Sequence, residues 1–221
     1  MPRTTATLGS CYGIDTDTKL SVASLKQLAL ARYQGDPIRA IGRYLSLSQP
    51  VPSDITSDEL DGILGEGFAS YPILHAHHVG WMPSEQLGSL DGEWAARNAI
   101  KAGYVQGTHL EIDLEGVSPQ ASKSQVEDWV GAASIAVAKA AGFPVILYDG
   151  WDAILGSEEL WDLPTVHLYA TDIAMRKIAH RGTASEQVAM DVVLGGTGVL
   201  VDVDSLHPDL FGDQMRLTVA G

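Results

Sequence analysis

A chain of 221 residues with 45% hydrophobic and 19% charged side chains has the composition of an ordinary globular protein, long enough for one sizeable core. Its 28 acidic against 14 basic residues leave a formal charge of -14, which repels phosphate backbones and anionic bilayers, so neither nucleic acid nor a membrane is expected as a partner. No apolar run approaches the ~18 residues of a membrane span, the opening MPRTTATLGSCYGID lacks a secretory apolar region, and a single Cys11 excludes both an internal disulfide and zinc-finger spacing.

SCYGID (Ser10 to Asp15) reads as a first strand, after which Val22, Leu25, Leu28, Leu30 and Tyr33 recur at helical spacing until Gly35 stops them. RAIGRYLSL (Arg39 to Leu47) is a second strand. TSDELDGILGEGF follows, with Thr56 or Ser57 capping a helix that ends near Gly65 or Gly67. YPILHAHHV (Tyr71 to Val79) is a third strand, DGEWAARNAIKAG a helix closed by Gly103, and THLEIDLEG (Thr108 to Gly116) a fourth strand. Between Ser122 and Gly142, the stripe Val126, Trp129, Val130, Ala133, Val137 and Ala140 marks another helix. PVILYDG is a fifth strand with a short helix around Asp152 to Leu160, and TVHLYATD, EQVAMDVVL and GVLVDVDSL complete eight strands.

Eight strands with helices after the first five give an α/β fold, a TIM-like β/α barrel. Only about five residues separate the seventh strand from the eighth, around the tight GGTG turn, whereas a parallel crossover takes ~10 to 12. The expected form is therefore a modified (β/α)5β3 barrel. Either its last helices are missing, or one of its last strands runs antiparallel.

The fourth strand carries the chemistry. His109, Glu111, Asp113 and Glu115 alternate with Leu110, Ile112 and Leu114, so the polar set faces the barrel interior and the leucines and isoleucine pack under helices. Glu111 lies deepest in a supporting role, while Asp113 and Glu115 approach the carboxyl-terminal rim where barrel enzymes act. The same parity groups Cys11, Gly13 and Asp15 on the first strand, Ile73, His75 and His77 on the third, and Leu200, Asp202 and Asp204 on the eighth. Crowding carboxyls in a partly desolvated mouth keeps one protonated beside another that is ionised, the division of labour glycoside hydrolysis needs. Residues two apart on a strand have Cα atoms ~6.6 Å apart, which lets Asp113 and Glu115 span the ~5 to 9.5 Å range of both retaining and inverting mechanisms.

YGIDT, IDLEG, VILYDGWDAIL and VLVDVDSL resemble the family 25 glycoside hydrolases, the lysozyme-type muramidases. They are still more similar to a related actinobacterial glycoside-hydrolase-like domain of unknown function, whose second strand has an IGRYL-type sequence as here. The resemblance runs through nearly the whole chain and implies a polysaccharide or peptidoglycan substrate and no cofactor. It also implies Glu115 as general acid, Asp113 as its partner, and Asp15 and Asp202 as the other two catalytic acids. Tyr44, Tyr148, Trp151 and Tyr169 stand near strand ends, where such barrels place sugar-stacking platforms; His75, His77, Glu111 and Asp204 join them as expected substrate-binding residues. HLYATD departs from the aromatic-rich sixth strand of the muramidases, and HAHHV in the third strand has no counterpart there.

Two other function classes stay open. His75 and His77 could form a metal-dependent hydrolytic site of the His-x-His kind, against the blander reading of histidines hydrogen-bonded to carboxylates. The barrel could also be a catalytically inactive carbohydrate-binding or structural module of a larger assembly such as a phage particle or injection machine, with Arg43 turned inward to neutralise Asp113 or Glu115. No dinucleotide fingerprint and no serine nucleophile elbow is present. The expectation is a single domain over residues 1–221, made in the cytoplasm and delivered to any cell wall by another route.

Overall fold

The computed structural model describes residues 1–173, 175 and 178–221. In chain order these form β1 (Arg3–Ala6), β2 (Cys11–Thr16), α1 (Val22–Leu30), β3 (Arg32–Tyr33), β4 (Asp36–Leu45), α2 (Ser57–Gly65), β5 (Ala69–Leu74) and α3 (Glu85–Ala102). They continue with β6 (Leu110–Leu114), α4 (Lys123–Ala141), β7 (Val145–Asp149), α5 (Ser157–Trp161), β8 (Leu168–Asp172), β9 (Ser185–Val193), β10 (Leu200–Leu206) and β11 (Leu217–Ala220).

Eight of the strands close on themselves in the order β2-β4-β5-β6-β7-β8-β9-β10, with β10 pairing back onto β2. All neighbours are parallel except β10, which is antiparallel to both β9 and β2. The two ways out of the short seventh connection are thus both taken: β9 and β10 form a hairpin, and no helix lies between β8 and β9 among the described residues.

Strand alternation sorts the core into two shells. Ile14, Ile41, Leu110, Ile112, Leu114, Leu147 and Val203 point outward and pack with the helices. Ala40, Tyr71, Ile73, Ile146, Leu168 and Leu206 point inward and fill the lower barrel together with Met215 and Leu217. Burying each such aliphatic side chain stabilises the fold by ~1.5 to 3 kcal/mol. β11 pairs antiparallel with β1 and meets β5 at Thr218 opposite Ser70, while the Arg216 carbonyl accepts from the His109 amide at 2.8 Å. These segments close the amino-terminal end of the barrel, leaving the carboxyl-terminal mouth open.

Helix ends follow their capping chemistry. Thr56 caps α2 by accepting from the Glu59 amide, Ser122 and Gln125 form a reciprocal capping box on α4, and Gly103 and Gly142 end α3 and α4 in the left-handed region. α1 differs from expectation, ending at Leu30 rather than near Gly35. Gln34 (φ 51°) and Gly35 (φ 96°) instead make the two-residue turn of a β3–β4 hairpin, a place for consecutive positive φ values, and Tyr33 packs edge-on against Tyr12 at 5.0 Å. α3 also starts earlier than predicted, capped by Ser84. No helix among the described residues is long and apolar enough to cross a membrane.

Candidate active site

β6 brings Glu111 and Asp113 into the barrel mouth, each 8% exposed, and Glu115 follows just past the strand end, half-buried. Leu110, Ile112 and Leu114 between them are fully buried on the outer side. Exposure thus stays low at both acids of the strand and rises only past its end, at Glu115.

Asp15 on β2 lies opposite Asp202 of β10 in the antiparallel register, and it hydrogen-bonds Asp204, two residues further along β10. Tyr44 donates to Asp15 Oδ1 at 3.0 Å, and Tyr71 donates to Asp204 Oδ2 at 2.9 Å. Tyr71 reaches Asp204 across the barrel because its register partner is Gly42. A Cβ there would stand 2.7 Å from the Tyr71 ring and 2.8 Å from Ile73 Cδ1, so only glycine leaves the ring its path.

Asp202 is held from β9. Register shifts in the β9–β10 ladder mark a bulge, and there Asp191, at φ 53°, aims its amide at Asp202 Oδ1 over 2.8 Å. Gln187 spans the mouth: its amide nitrogen donates to Asp202 Oδ2 at 2.8 Å, and its carbonyl oxygen accepts from the Tyr148 hydroxyl at 2.9 Å.

Glu115 is positioned from behind. The Trp81 indole donates to the Glu115 carbonyl at 2.8 Å, and the Trp151 amide donates to its carboxylate. The side chain lies so close over Gly150 that a Cβ there would overlap Glu115 Oε1, Cγ and Cδ. Asp113 accepts from the Ala76 amide, while its buried Oδ1 has no hydrogen-bond partner.

Burial and like charge push every one of these carboxyls above its usual range. For Asp15 burial is the largest cause, followed by Asp204, Asp202 and Glu111, and the Tyr44 hydrogen bond opposes them. Burial also leads for Glu111, followed by Asp204 and Asp113, and for Asp113, followed by Glu115. Glu115 is raised by burial, held back by the Trp151 amide, and raised again by Asp172 and Asp202. Asp202 is raised mainly by burial, and Asp204 is pushed up to about 6 by burial against the pull of the Tyr71 and Asp15 hydrogen bonds. The charge of Asp204 is, after burial, the largest influence holding Asp15 above its usual range.

The mouth opens into two joined clefts of about 180 and 450 Å3 that share Asp15, Tyr44, Asp113, Glu115 and Asp202. Trp151, 47% exposed, and Met190 stand at the edge of the deeper one. Two further clefts, by Ser10, Cys11 and Arg39, lie at the closed end; burial pushes the Cys11 thiol up to about 11 against the influence of Arg39, which leaves it a poor nucleophile.

Four expectations are corrected. β5 ends at Leu74, so His75 and His77 are not on an inward strand face. His75 sits on the rim beside the Tyr44 ring at 4.9 Å, whereas His77 turns away to Asp91 of α3 at 2.8 Å and stacks on Trp81 at 4.5 Å. The two rings therefore form no shared His-x-His site. Arg43 points outward and is fully buried, donating to Glu59 Oε1 at 2.9 Å, the Ser53 carbonyl at 2.8 Å and the Thr16 carbonyl, so it neutralises neither Asp113 nor Glu115. Tyr169 also points outward and donates to the Leu160 carbonyl, which removes it from the sugar-facing set. His109 faces inward below the acids, where Nδ1 accepts from the Arg216 amide and Nε2 pairs with His167 at 2.9 Å.

Sequence reasoning missed Tyr71, Gln187, Asp191 and Gly150. Tyr71 shares the parity of Ile73 and could have been read inward; the other three depend on a bulge and on loop packing that no local pattern encodes.

The sequence profile of the Rv2525c-like, glycoside hydrolase-like domain matches residues 31–206, a stretch that holds every barrel strand except β2. The chain belongs to this family. Among solved structures, this Rv2525c-like barrel superposes on the lysozyme from Streptomyces coelicolor with a TM-score of 0.64 at 12% identity, covering 91% of this chain and 93% of the other. The Tat-secreted protein Rv2525c of Mycobacterium tuberculosis, in complex with L-tartrate, gives 0.61 at 14% identity, covering 90% and 95%. An uncharacterized protein of B. stearothermophilus gives 0.62 at 18% identity, covering 89% and 95%. At such identities the superpositions show a shared fold. No functionally curated protein matches this Rv2525c-like chain.

Proposed function

We propose that this Rv2525c-like barrel hydrolyses a glycosidic bond in peptidoglycan or a related β-glycan, with Glu115 as general acid and Asp113 as its charged partner. The observation that carries this reading is the contrast at the end of β6: a half-buried Glu115 with a raised pKa at the open rim, just past the strand, and a buried Asp113 two residues before it with one oxygen unpartnered. Glu115 gives its proton to the leaving glycosidic oxygen as the bond to the anomeric carbon breaks. The Asp113 carboxylate stabilises the positive charge that develops on the sugar ring, and a water then takes the anomeric carbon. Asp15, Asp202 and Asp204 bind sugar hydroxyls from the opposite wall, and Tyr44, Tyr148 and Trp151 offer ring faces to the pyranose. The fold shared with the Streptomyces lysozyme and with the muramidase from Trichobolus zukalii supports the same substrate class.

Glu115→Gln keeps shape and removes the proton donor. Turbidity clearance of purified cell walls should fall by at least ~10²-fold in that variant with the fold intact. Equal clearance by wild type and variant would reject Glu115 as the acid. Wild-type protein that clears no wall over a range of sources and pH would turn the reading to a carbohydrate-binding or structural barrel.

A further inference from the structure

HAHHV carries chemistry that the proposed reaction does not use. β5 stops at Leu74, and residues 75–84 run over the rim to the Ser84 cap of α3. In this crossing His77 Nε2 lies 2.8 Å from Asp91 Oδ2, an oxygen that also accepts from the Trp129 indole at 2.8 Å. The bond needs the hydrogen on Nε2, since a carboxylate only accepts. Asp91 is buried on a face of α3 that lies directly on α4: a Cβ on Gly88 or Gly92 would overlap the Trp129 or Ala133 carbonyl oxygen. The anchor is therefore rigid. From it the His77 ring stacks on Trp81, centroids 4.5 Å apart, while Trp129 meets the same indole edge-on at 4.8 Å. Held between the two, Trp81 is 4% exposed and donates its indole N–H to the Glu115 carbonyl at 2.8 Å. Main-chain bonds fasten the crossing to the next residues, from the Gly80 amide to the Gly116 carbonyl at 2.7 Å and from the Ser118 amide to the Trp81 carbonyl at 2.8 Å. On the far side the Gly116 amide donates to the Trp151 carbonyl, and the Trp151 amide donates to the Glu115 carboxylate.

We propose that His77 is a positioning residue for Glu115: held by Asp91, its ring keeps Trp81 seated on the Glu115 carbonyl and so keeps the carboxylate on the Trp151 amide. This rests on the reading of Glu115 as the acid and adds a residue that lines neither cleft of the mouth. Its two halves do different things. The bond to Asp91 satisfies a buried carboxylate and contributes stability, whereas the ring face restrains Trp81. Without that face the indole tilts, the Glu115 carbonyl follows, and the carboxylate drifts off its donor. A carboxylate that loses a donor holds its proton more tightly.

The test reads the titration midpoint of the Glu115 carboxyl by carbon NMR in the whole chain, assigned with Glu115→Gln. His77→Ala should raise it by about one pH unit, the scale of a lost hydrogen bond to a charged group. His77→Phe keeps a ring over Trp81, so the midpoint should stay near the wild type while the melting temperature falls, because Asp91 loses a donor. His77→Gln keeps a donor for Asp91 and should do the opposite, melting near the wild type with the midpoint raised. Trp81→Phe removes only the indole donor and should match His77→Ala; the double variant should go no further, because the two act in series. An unmoved midpoint in His77→Ala, shifts of the two single variants that add, or midpoints that simply track melting temperature would each overturn the inference. In wall clearance His77→Ala should lower kcat by about tenfold and leave KM within about twofold. Clearance by the wild type together with an unmoved midpoint in His77→Ala would sink the inference while sparing the hydrolase reading. The full pattern of midpoints in a protein that cleaves no polymer would do the reverse.

Discussion

Replacing Arg43 with methionine should destabilise the protein by about 3 to 5 kcal/mol, the usual effect of stranding one half of a buried ion pair. The guanidinium is fully buried and serves Glu59 Oε1, the Ser53 carbonyl and the Thr16 carbonyl at once. Glu59 Oε1 keeps one other donor, the Leu20 amide at 2.9 Å, and Oε2 has no partner even in the wild type. Methionine would therefore leave a buried carboxylate with a single hydrogen bond and take one donor from each of two carbonyls. For a chain of 221 residues, where ~1 kcal/mol shifts the melting temperature by ~2 to 4 °C, the expected drop is about 6 to 20 °C. Urea unfolding followed by tryptophan fluorescence gives the same quantity from the midpoint and slope. The double variant Arg43→Met with Glu59→Met should recover most of the loss, because an apolar pair of similar volume avoids desolvating either charge. A single-variant loss below ~1 kcal/mol, or no recovery in the double variant, would refute the assignment of Arg43 as a buried brace.

Gly150→Ala should displace the Glu115 carboxylate by roughly 1 Å and lower the wall-clearing rate by about 10²-fold. Because Gly150 is not in the left-handed region and Glu115 can swing toward the cleft, the melting temperature should move little; unchanged clearance would show that Glu115 does not depend on this contact. Asp204→Asn should stabilise the protein at neutral pH by on the order of 2 kcal/mol, since the native carboxyl, raised to about 6, holds its proton more tightly than the unfolded one. That group contributes stability below its unfolded pKa near 4 and loses it as pH rises through about 6, so the variant's advantage should vanish in acid; an advantage constant across this window in a melting series would exclude the buried charge as its cause. His109 works in the opposite sense: its pKa is lowered to about 3, chiefly by burial and then by His167 and Arg216, so its contribution holds above ~6.5 and is lost as pH falls toward about 3. Proton titration of the His109 ring by NMR should show it neutral at about pH 5, and an ordinary histidine titration there would contradict the 2.9 Å His109–His167 pair.

The barrel was legible because its signals are local. Alternation in LEIDL and LVDVDSL assigns inner and outer faces without any knowledge of neighbours, and the turn between β9 and β10 is too short for a parallel return. Arg43 shows where that logic stops. Its parity with Ile41 and Leu45 was plain, but which parity faces inward on β4 is decided by Tyr71, whose ring fills the space over Gly42. The histidines fail for a different reason. Alternation continues past Leu74, yet the β5–β6 ladder holds only Ile73 opposite Glu111 and Leu74 opposite Ile112, and His77 gains more from Asp91 and Trp81 than from an unpaired strand. Among the acids, Asp15, Asp113, Asp202 and Glu115 converge on one opening, as their spacing suggested. The groups that hold Asp202, a bulge amide and Gln187, are tertiary facts.

The antiparallel pairing of β1 with β11 places Arg3 opposite Ala220 at the floor of the barrel, and the Gly221 amide reaches the Pro2 carbonyl at 3.0 Å. Both chain ends therefore leave from the side away from the acids. Tethering the protein to a bead, a carrier or a neighbouring module through either end would hold the opening outward. A long polymer could then thread past without meeting the anchor.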